Sequence, residues 1–188
     1  MTLLPHIRAK ASLHCPFPMP PDNWRYLDLE SGLVVSIAPS VLRIFEGSRQ
    51  RLWQRERGGV LFADSVGTDG RLGILDATAP HAHDRAGWNW LMLDHQRCLD
   101  EISDRFTRGL HFVGYWHTHP ERIPRPSTRD ITVLQRNLLE GGVPLQKLIA
   151  VIVGTDRTAA GLCIATVSRS NHIPSMFVPL RMQIGESL

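Results

Sequence analysis

The sequence predicts an α+β fold, with a mixed and mainly antiparallel sheet flanked by helices. Two observations lead to this class. Short apolar runs bounded by turn residues recur along the chain, and three longer segments place apolar residues at helical spacing. With 188 residues and a 43% hydrophobic composition, the chain is long enough to form one domain with its own core. No internal repeat is visible.

The first half of the chain is expected to provide three strands and a helix. Residues 32–37 (GLVVSI) have the pattern of a strand, and residues 38–54 place apolar side chains at helical spacing, with Ser40 as the predicted N-cap. Two apolar runs, at residues 59–63 and 72–77, are separated by DSVGTDG, a turn rich in Gly and Asp. These two runs are therefore predicted to form a β-hairpin.

The second half is expected to provide two helices and several strands. Apolar spacing predicts a long amphipathic helix over residues 91–106, and a further helix over residues 127–139 that ends at a glycine pair. Strands are predicted at residues 111–119, 148–153, 161–167 and 174–178.

The N-terminal segment differs from the rest of the chain. Residues 1–31 are proline-rich and lack strong periodicity, so they are predicted to be an extension, either wrapped on the domain or partly disordered. The domain is expected over residues 32–188. Polar residues such as Lys10 interrupt the apolar stretch that a signal peptide needs, and the longest aliphatic run, residues 148–153, is too short to span a bilayer. A soluble, cytoplasmic protein without a membrane partner is expected.

Charge and cysteine content argue against a nucleic-acid-binding protein and against a fold held by disulfides or a thiolate zinc site. The net charge is +3, and the basic residues are spread along the chain without a run of five, so nucleic-acid binding is not implied. Cys15, Cys98 and Cys163 are odd in number and widely spaced, and no C-x-x-C pair occurs. Neither a disulfide framework nor a thiolate zinc site is therefore indicated.

A pair of histidines closes the predicted strand over residues 111–119. Alternate side chains of a strand share a face, so Val113, Tyr115, His117 and His119 are expected to point the same way. Neutral imidazole is a favoured zinc ligand, and Asp130 can supply a third ligand if the proline-rich loop between them folds back. Three protein ligands with an open fourth position are typical of a catalytic zinc site.

A structural interpretation of the same residues stays open at this point. An H-x-H pair is common by chance. Ser127, with Asp130 three residues later, is also the pattern of an N-cap with an acidic residue in the first helical turn. Taken separately, each half of the pattern would more often be structural than catalytic.

Together the residues resemble a longer motif. H-x-H-P, followed by Ser127 seven residues after the proline and then by Asp130, resembles the JAMM motif of the JAB/MPN metallopeptidase family. That family also carries a glutamate ahead of a glycine pair and an apolar strand, and RERGGVLFAD supplies Glu56 at the matching position. The resemblance covers residues 32–168.

The resemblance implies a role for each motif residue. His117, His119 and Asp130 would bind one zinc ion per chain, Glu56 would act as general base and acid, and Ser127 would help to stabilise the oxyanion. Such a division of labour suits amide hydrolysis, because a proton must leave the attacking water and another must reach the departing amine.

A second H-x-H pair lies in PHAHDRAGWNW, residues 80–90. His81 and His83 have no paired downstream ligand, and the surrounding polar residues favour a loop. We therefore expect this segment to contact the substrate or simply to be exposed, with Trp88 and Trp90 at the border of the cleft.

The family resemblance implies several activities. Eukaryotic relatives cleave isopeptide bonds of ubiquitin-like modifiers, whereas bacterial ones process sulfur carriers or remove conjugates. YWHTHPERIPRPSTRD and the preceding ATAP are similar to JAB proteases encoded beside activating and conjugating enzymes in antiphage operons of the CBASS type. The resemblance thus implies an isopeptidase that frees a ubiquitin-like protein or another conjugated target, such as a cyclic-nucleotide synthase.

Three alternatives accompany this expectation. One is a non-catalytic MPN scaffold that binds partners, although such scaffolds usually lack one or more metal ligands. The others are enzymes of the same chemistry, acting on a sulfur-carrier protein or on a small amide.

Overall fold

A computed structural model describes residues 24–64, 70–140, 145–170 and 174–180. Ten strands and three helices follow in the order β1 (Trp24–Asp28), β2 (Val34–Ile37), α1 (Pro39–Ser48), β3 (Gly58–Ala63), β4 (Arg71–Ala77), β5 (Arg85–Ala86), β6 (Leu91–Met92), α2 (His95–Thr107), β7 (His111–Thr118), α3 (Thr128–Glu140), β8 (Lys147–Val153), β9 (Leu162–Ser168) and β10 (Ser175–Pro179). None of the helices in these ranges is long and apolar enough to cross a membrane.

Eight of the strands form one sheet that closes on itself. Its order is β1-β10-β9-β8-β7-β3-β4-β2, and β2 pairs again with β1. Only the β2–β4 and β7–β8 pairs are parallel, and the predicted hairpin of β3 and β4 is present. The short strands β5 and β6 form a separate ribbon. The prediction of an α+β fold with a mixed, mainly antiparallel sheet is therefore confirmed.

Two apolar clusters lie on the two faces of this sheet. The inner cluster contains Leu61, Trp116 and Ile149 and is completed by α1, while the outer cluster packs α2 and α3 against β3, β7, β8 and β9. β3 is buried along its whole length because its side chains contribute alternately to both clusters. This explains why its sequence is a continuous apolar run and not an alternating pattern.

The predicted helix ends differ from the observed ones. Helix α1 begins at Pro39, whose fixed φ suits the first helical turn, so the prediction of Ser40 as N-cap was wrong. The Ser40 hydroxyl instead donates to the carbonyl of Leu75. Helix α2 begins at His95, after the cap Asp94, whose carboxylate accepts the Arg97 N–H at 2.9 Å. The segment just before Asp94, predicted as helix, forms β6 instead.

The N-terminal boundary also differs from the prediction. Residues 24–28, placed in the extension, form β1, which pairs with both β2 and β10. Strand β1 follows an alternating burial pattern over only five residues, too short to stand out beside the prolines that precede it. Residues 1–23 and 181–188, and the glycine pair predicted to end α3, lie outside the described residues.

A bulge in β7 changes which of its side chains share a face. The pairing of β3 with β7 shifts register opposite Gly114, whose φ is +153° and whose backbone touches that of Ile149 so closely that a Cβ would clash. As a result, Val113 lies in the inner cluster while Tyr115 packs in the outer one. The prediction that Val113 shares a face with Tyr115 and His117 was therefore wrong.

Candidate metal centre and active site

Three side chains from two elements meet at the end of β7. Nε2 of His117 lies 3.0 Å from Nε2 of His119. The two carboxylate oxygens of Asp130 face these nitrogens, with Oδ1 3.4 Å from His117 and Oδ2 3.4 Å from His119. Among the residues that the structure describes, this is the only group of three or more His, Cys, Asp or Glu side chains close enough to share an ion. The structure thus brings together the three predicted ligands.

The histidines are held by the strands on both sides of β7. His117 pairs with Gly58 of β3 and with Ile152 of β8, while the His119 N–H donates to the carbonyl of Val153 at 2.9 Å. Thr118, fully buried between the two histidines, accepts the Arg57 N–H at 3.0 Å through its hydroxyl. These bonds fix the backbone on which both imidazoles stand.

Asp130 reaches the histidines from the first turn of α3. Its carboxylate accepts the Ser127 N–H at 2.7 Å, and the Ser127 hydroxyl accepts the Asp130 N–H at 3.2 Å. This reciprocal pair is a capping box, so the structural interpretation of Ser127 and Asp130 is correct. It does not exclude a second role, because the same carboxylate also faces both imidazoles.

The three donor atoms fit a tetrahedral metal ion. Bonds of 2.0–2.1 Å to zinc at tetrahedral angles place neighbouring ligand atoms about 3.3 Å apart. This is close to the 3.0 Å between the two imidazole nitrogens and to the 3.4 Å between each nitrogen and one oxygen of Asp130. Two imidazole nitrogens and a carboxylate oxygen are also a donor set that suits zinc. Zinc usually takes four ligands, so an ion held by these three side chains would take one further ligand.

The carboxylate and the imidazoles shift one another's protonation. Burial acts to raise the pKa of Asp130, but hydrogen bonds from His117 and His119 outweigh it and hold that pKa well below its usual range. Burial likewise acts to lower the pKa of His119, and its hydrogen bond to Asp130 reverses this and raises the pKa. Because a metal must displace such a proton, metal binding here is expected to strengthen as pH rises.

Glu56 lies next to the cluster but outside it. It precedes β3, is 7% exposed, and its N–H donates to the carbonyl of Gly87 at 2.8 Å. The following Gly58 and Gly59 pack so closely against β7 and Thr78 that any Cβ would clash with backbone atoms. The glycine pair therefore allows the chain that carries Glu56 to approach the histidines.

The environment of Glu56 brings the pKa of its carboxyl group close to neutral pH. Burial raises its pKa from 4.5 to about 7, opposed by the nearby His119 and supported by Asp130. A carboxyl group with such a pKa can both accept and return a proton near neutral pH, as a general base and acid must.

This raised pKa predicts how Glu56 affects the stability of the metal-free protein. Since the folded pKa lies above the unfolded one, ionisation of Glu56 destabilises the fold as pH rises from about 4.5 to about 7. The metal-free Glu56→Gln variant should therefore melt at a higher temperature than the wild type at pH 8, and the difference should vanish near pH 4. Thermal melts across this range test it, and a variant less stable at every pH would contradict it.

Sequence reasoning missed a second carboxylate beside His119. Nδ1 of His119 is buried, and Oε2 of the half-exposed Glu121 lies 3.2 Å from it, although the two are not aligned as a hydrogen bond. Histidine ligands usually donate this second N–H to a carboxylate, which fixes the ring orientation. In the sequence, Glu121 is visible as the acidic residue directly after H-x-H-P.

A groove of about 310 Å³ leads away from the cluster. One wall is the segment that contains β6, the other is α3, and β7 lies at its base. Glu56, His117 and Asp130 belong to its lining, so the groove reaches the cluster. The remaining lining consists of Asn89, Trp90, Leu91, Met92, Leu93, His95, Cys98, Tyr115, Trp116, Arg129, Val133, Leu134, Arg136, Asn137 and Ala150.

The second H-x-H pair lies in a loop, as predicted. His81 and His83 are exposed, and Nδ1 of His81 accepts the N–H of His83 at 3.2 Å. The acid that follows them, Asp84, forms an ion pair with Arg97 at 2.7 Å. Of the predicted border residues, Trp90 lines the groove, whereas the two histidines and Trp88 are not part of its lining.

The sequence of the chain is similar to those of known proteins. The family described as prokaryotic homologs of the JAB domain matches residues 39–165. A CD-NTase/cGAS isopeptidase from Escherichia coli (strain TW11681) is 27% identical over 132 residues, which cover 69% of this chain and 81% of that protein. A protein of the same description from Vibrio cholerae is 29% identical over 133 residues, with the same coverage.

A solved structure shares the fold. The solution structure of protein DSY2949 from Desulfitobacterium hafniense superposes with a TM-score of 0.50, covering 79% of this chain and 90% of that one at 15% identity. This likeness concerns the fold alone. The family match runs from the start of α1 into β9 and encloses Glu56, both histidines and Asp130. The chain therefore belongs to the prokaryotic homologues of the JAB domain, the family that its motif resembles.

Proposed function

We propose that this protein is a zinc-dependent isopeptidase that hydrolyses the amide bond at the C-terminus of a conjugated protein. The observation that carries the proposal is the cluster of His117, His119 and Asp130, whose donor atoms lie within 4.8 Å of one another, beside the buried carboxyl of Glu56. Zinc at this site would supply a Lewis acid that polarises a carbonyl and makes water nucleophilic near neutral pH.

The side chains of the protein divide the remaining chemistry. Glu56, as the carboxylate, takes a proton from the water that attacks the carbonyl carbon, and then returns a proton to the departing amine. Ser127 accepts the Asp130 N–H through a lone pair, so its own hydroxyl hydrogen stays available for the developing oxyanion. The C–N bond breaks, and one water molecule is consumed.

The groove beside the cluster suits an extended chain end. Strand β4 is hydrogen-bonded to both β2 and β3, so a substrate tail has no free edge along most of it. The ribbon of β5 and β6 has only two strands, and β6 borders the groove. We place the substrate tail between this ribbon and α3.

The relatives suggest which protein carries that tail. Since two relatives are described as CD-NTase/cGAS isopeptidases, we propose that the conjugated target is a cyclic-nucleotide synthase of the CD-NTase class. The reaction would reverse, in the cytoplasm, a conjugation made by activating and conjugating enzymes of the same antiphage operon. Release of a ubiquitin-like protein is the second candidate, because the chemistry of hydrolysis does not itself determine which protein supplies the carbonyl of the cleaved amide.

The experiment uses a CD-NTase-class synthase joined through its C-terminal carboxyl to a lysine of a reporter protein. Incubation with the zinc-loaded protein should give two products whose masses sum to that of the conjugate plus one water. An intact conjugate, with a ubiquitin-like conjugate cleaved in parallel, would move the proposal to the second candidate. If both stayed intact, the scaffold alternative would replace the enzymatic one.

Glu121 gives a separate prediction about the metal. Replacement by glutamine removes the charge that faces Nδ1 of His119, so zinc affinity should fall by about tenfold to a hundredfold. Competition with a chromophoric chelator measures this, and Glu140→Gln, an exposed position at the end of α3, is the matched control. Equal affinities in both variants and the wild type would show that Glu121 does not support His119.

A further inference from the structure

The groove has one basic wall. Arg129 and Arg136 of α3 both line it and are exposed, and Val133 lies between them with 37% of its surface exposed. The opposite wall offers Leu91 and Met92, which carry no charge. The acidic residues of the lining are Glu56 and Asp130, both at the metal end.

These two arginines differ from those of the neighbouring helix. In α2, Arg97 pairs with Asp84 and Glu101, and Arg105 pairs with Asp76 and Asp104. Arg108, which caps the end of this helix, pairs with Asp104. In the part of the chain that the structure describes, neither Arg129 nor Arg136 forms an ion pair, although the charge of Arg129 acts to lower the pKa of Glu56 at the metal end of the groove. A guanidinium binds carboxylates through parallel hydrogen bonds, so two unpaired arginines in a groove indicate an acidic ligand.

Helix geometry sets the spacing between the two charges. With a rise of about 1.5 Å per residue, Arg136 lies about 10.5 Å further along α3 than Arg129. A chain in the polyproline II conformation rises about 3.1 Å per residue and completes a turn every three residues, so this distance corresponds to about three residues of bound peptide, whose side chains face the same wall. Arg129 precedes the metal-facing Asp130 and is therefore the one nearer the scissile bond.

We propose that the groove selects acyl tails that carry acidic side chains at two positions about three residues apart, one near the scissile amide facing Arg129 and one further out facing Arg136. An apolar side chain between them packs on Val133 and Met92. This inference rests on the proposed isopeptidase function and names the class of tail that it accepts.

The test is a series of short fluorogenic peptides of glycine and serine with a central leucine. A single aspartate, or asparagine as its neutral match, is moved outward one residue at a time from the position before the scissile amide. We expect kcat/KM to show two maxima about three residues apart, each with a preference for aspartate of about tenfold, mainly through KM. The preference should shrink at high salt.

Variants assign each maximum to its arginine. Arg136→Glu should invert the outer preference, so that asparagine is favoured over aspartate there, and keep the inner one, while Arg129→Gln should remove only the inner one. Arg25→Glu, an exposed position on β1, is the control and should change neither. A flat profile in the wild type, or the same profile in Arg136→Glu, would overturn the proposal.

A binding measurement separates this proposal from the function on which it rests. The same tails, fluorescein-labelled and ending in a free carboxylate, are titrated with the Glu56→Gln protein and followed by anisotropy. Preference for aspartate that depends on Arg136, without cleavage of any peptide by the wild type, would support the groove and contradict the isopeptidase. Cleavage without a preference for aspartate would support the isopeptidase and contradict the groove proposal. If neither cleavage nor a preference were observed, both proposals would be contradicted.

Discussion

Replacing Glu56 by glutamine is expected to lower the rate of amide cleavage by a factor of about 10² to 10⁴ while the protein stays folded and zinc-loaded. Glutamine keeps the size of the buried side chain but cannot accept the proton of the attacking water. Glu56 is not among the three residues whose donor atoms converge, so its loss should not release the metal. Steady-state kinetics with zinc analysis of the same samples measure both effects.

The control for this variant is Glu140→Gln, which makes the same chemical change at an exposed position. It should cleave at the wild-type rate. If zinc-loaded Glu56→Gln also cleaved at that rate, Glu56 would not be the base, and the glutamate ahead of the glycine pair would have only a structural role. If it lost zinc, Glu56 would be a ligand and the division of roles would be wrong.

Alanine in place of His117, His119 or Asp130 is expected to abolish both zinc binding and cleavage. Each substitution leaves only two donors, one fewer than the three protein ligands of a catalytic zinc site. Elemental analysis should give about one zinc per wild-type chain and little in each variant.

The matched control is the double variant His81→Ala, His83→Ala, which removes the second H-x-H pair and should keep both zinc and activity. Because Asp130 also closes the capping box of α3, its variant is measured beside Asp130→Asn, which keeps the size and one acceptor oxygen. Stoichiometric zinc in all three alanine variants would place the metal elsewhere.

Much of the candidate site could be predicted because it depends on short spacings. Two histidines one residue apart on a strand share a face whatever the rest of the fold, and the serine three residues before an aspartate caps a helix. The apolar runs that became β3 and β8 were also predictable, since they are buried on both faces and stand out in the sequence.

The rest depended on contacts between distant parts of the chain. The loop that returns Asp130 to the histidines is fastened by backbone bonds from Thr155 and Asp156 to Glu121 and Arg122, and by an ion pair between Arg122 and Asp156. Nothing near the motif reveals these partners. The bulge at Gly114 likewise arises from close packing on β8, and it reversed the predicted face of Val113.

The most direct test of the central claim is a zinc titration of the metal-free protein that follows bound zinc and amide cleavage in the same samples. One ion held by His117, His119 and Asp130 predicts that activity rises in proportion to bound zinc and reaches its plateau at one equivalent per chain. Full cleavage before zinc is added, or no cleavage of either conjugate once the site is filled, would contradict the account.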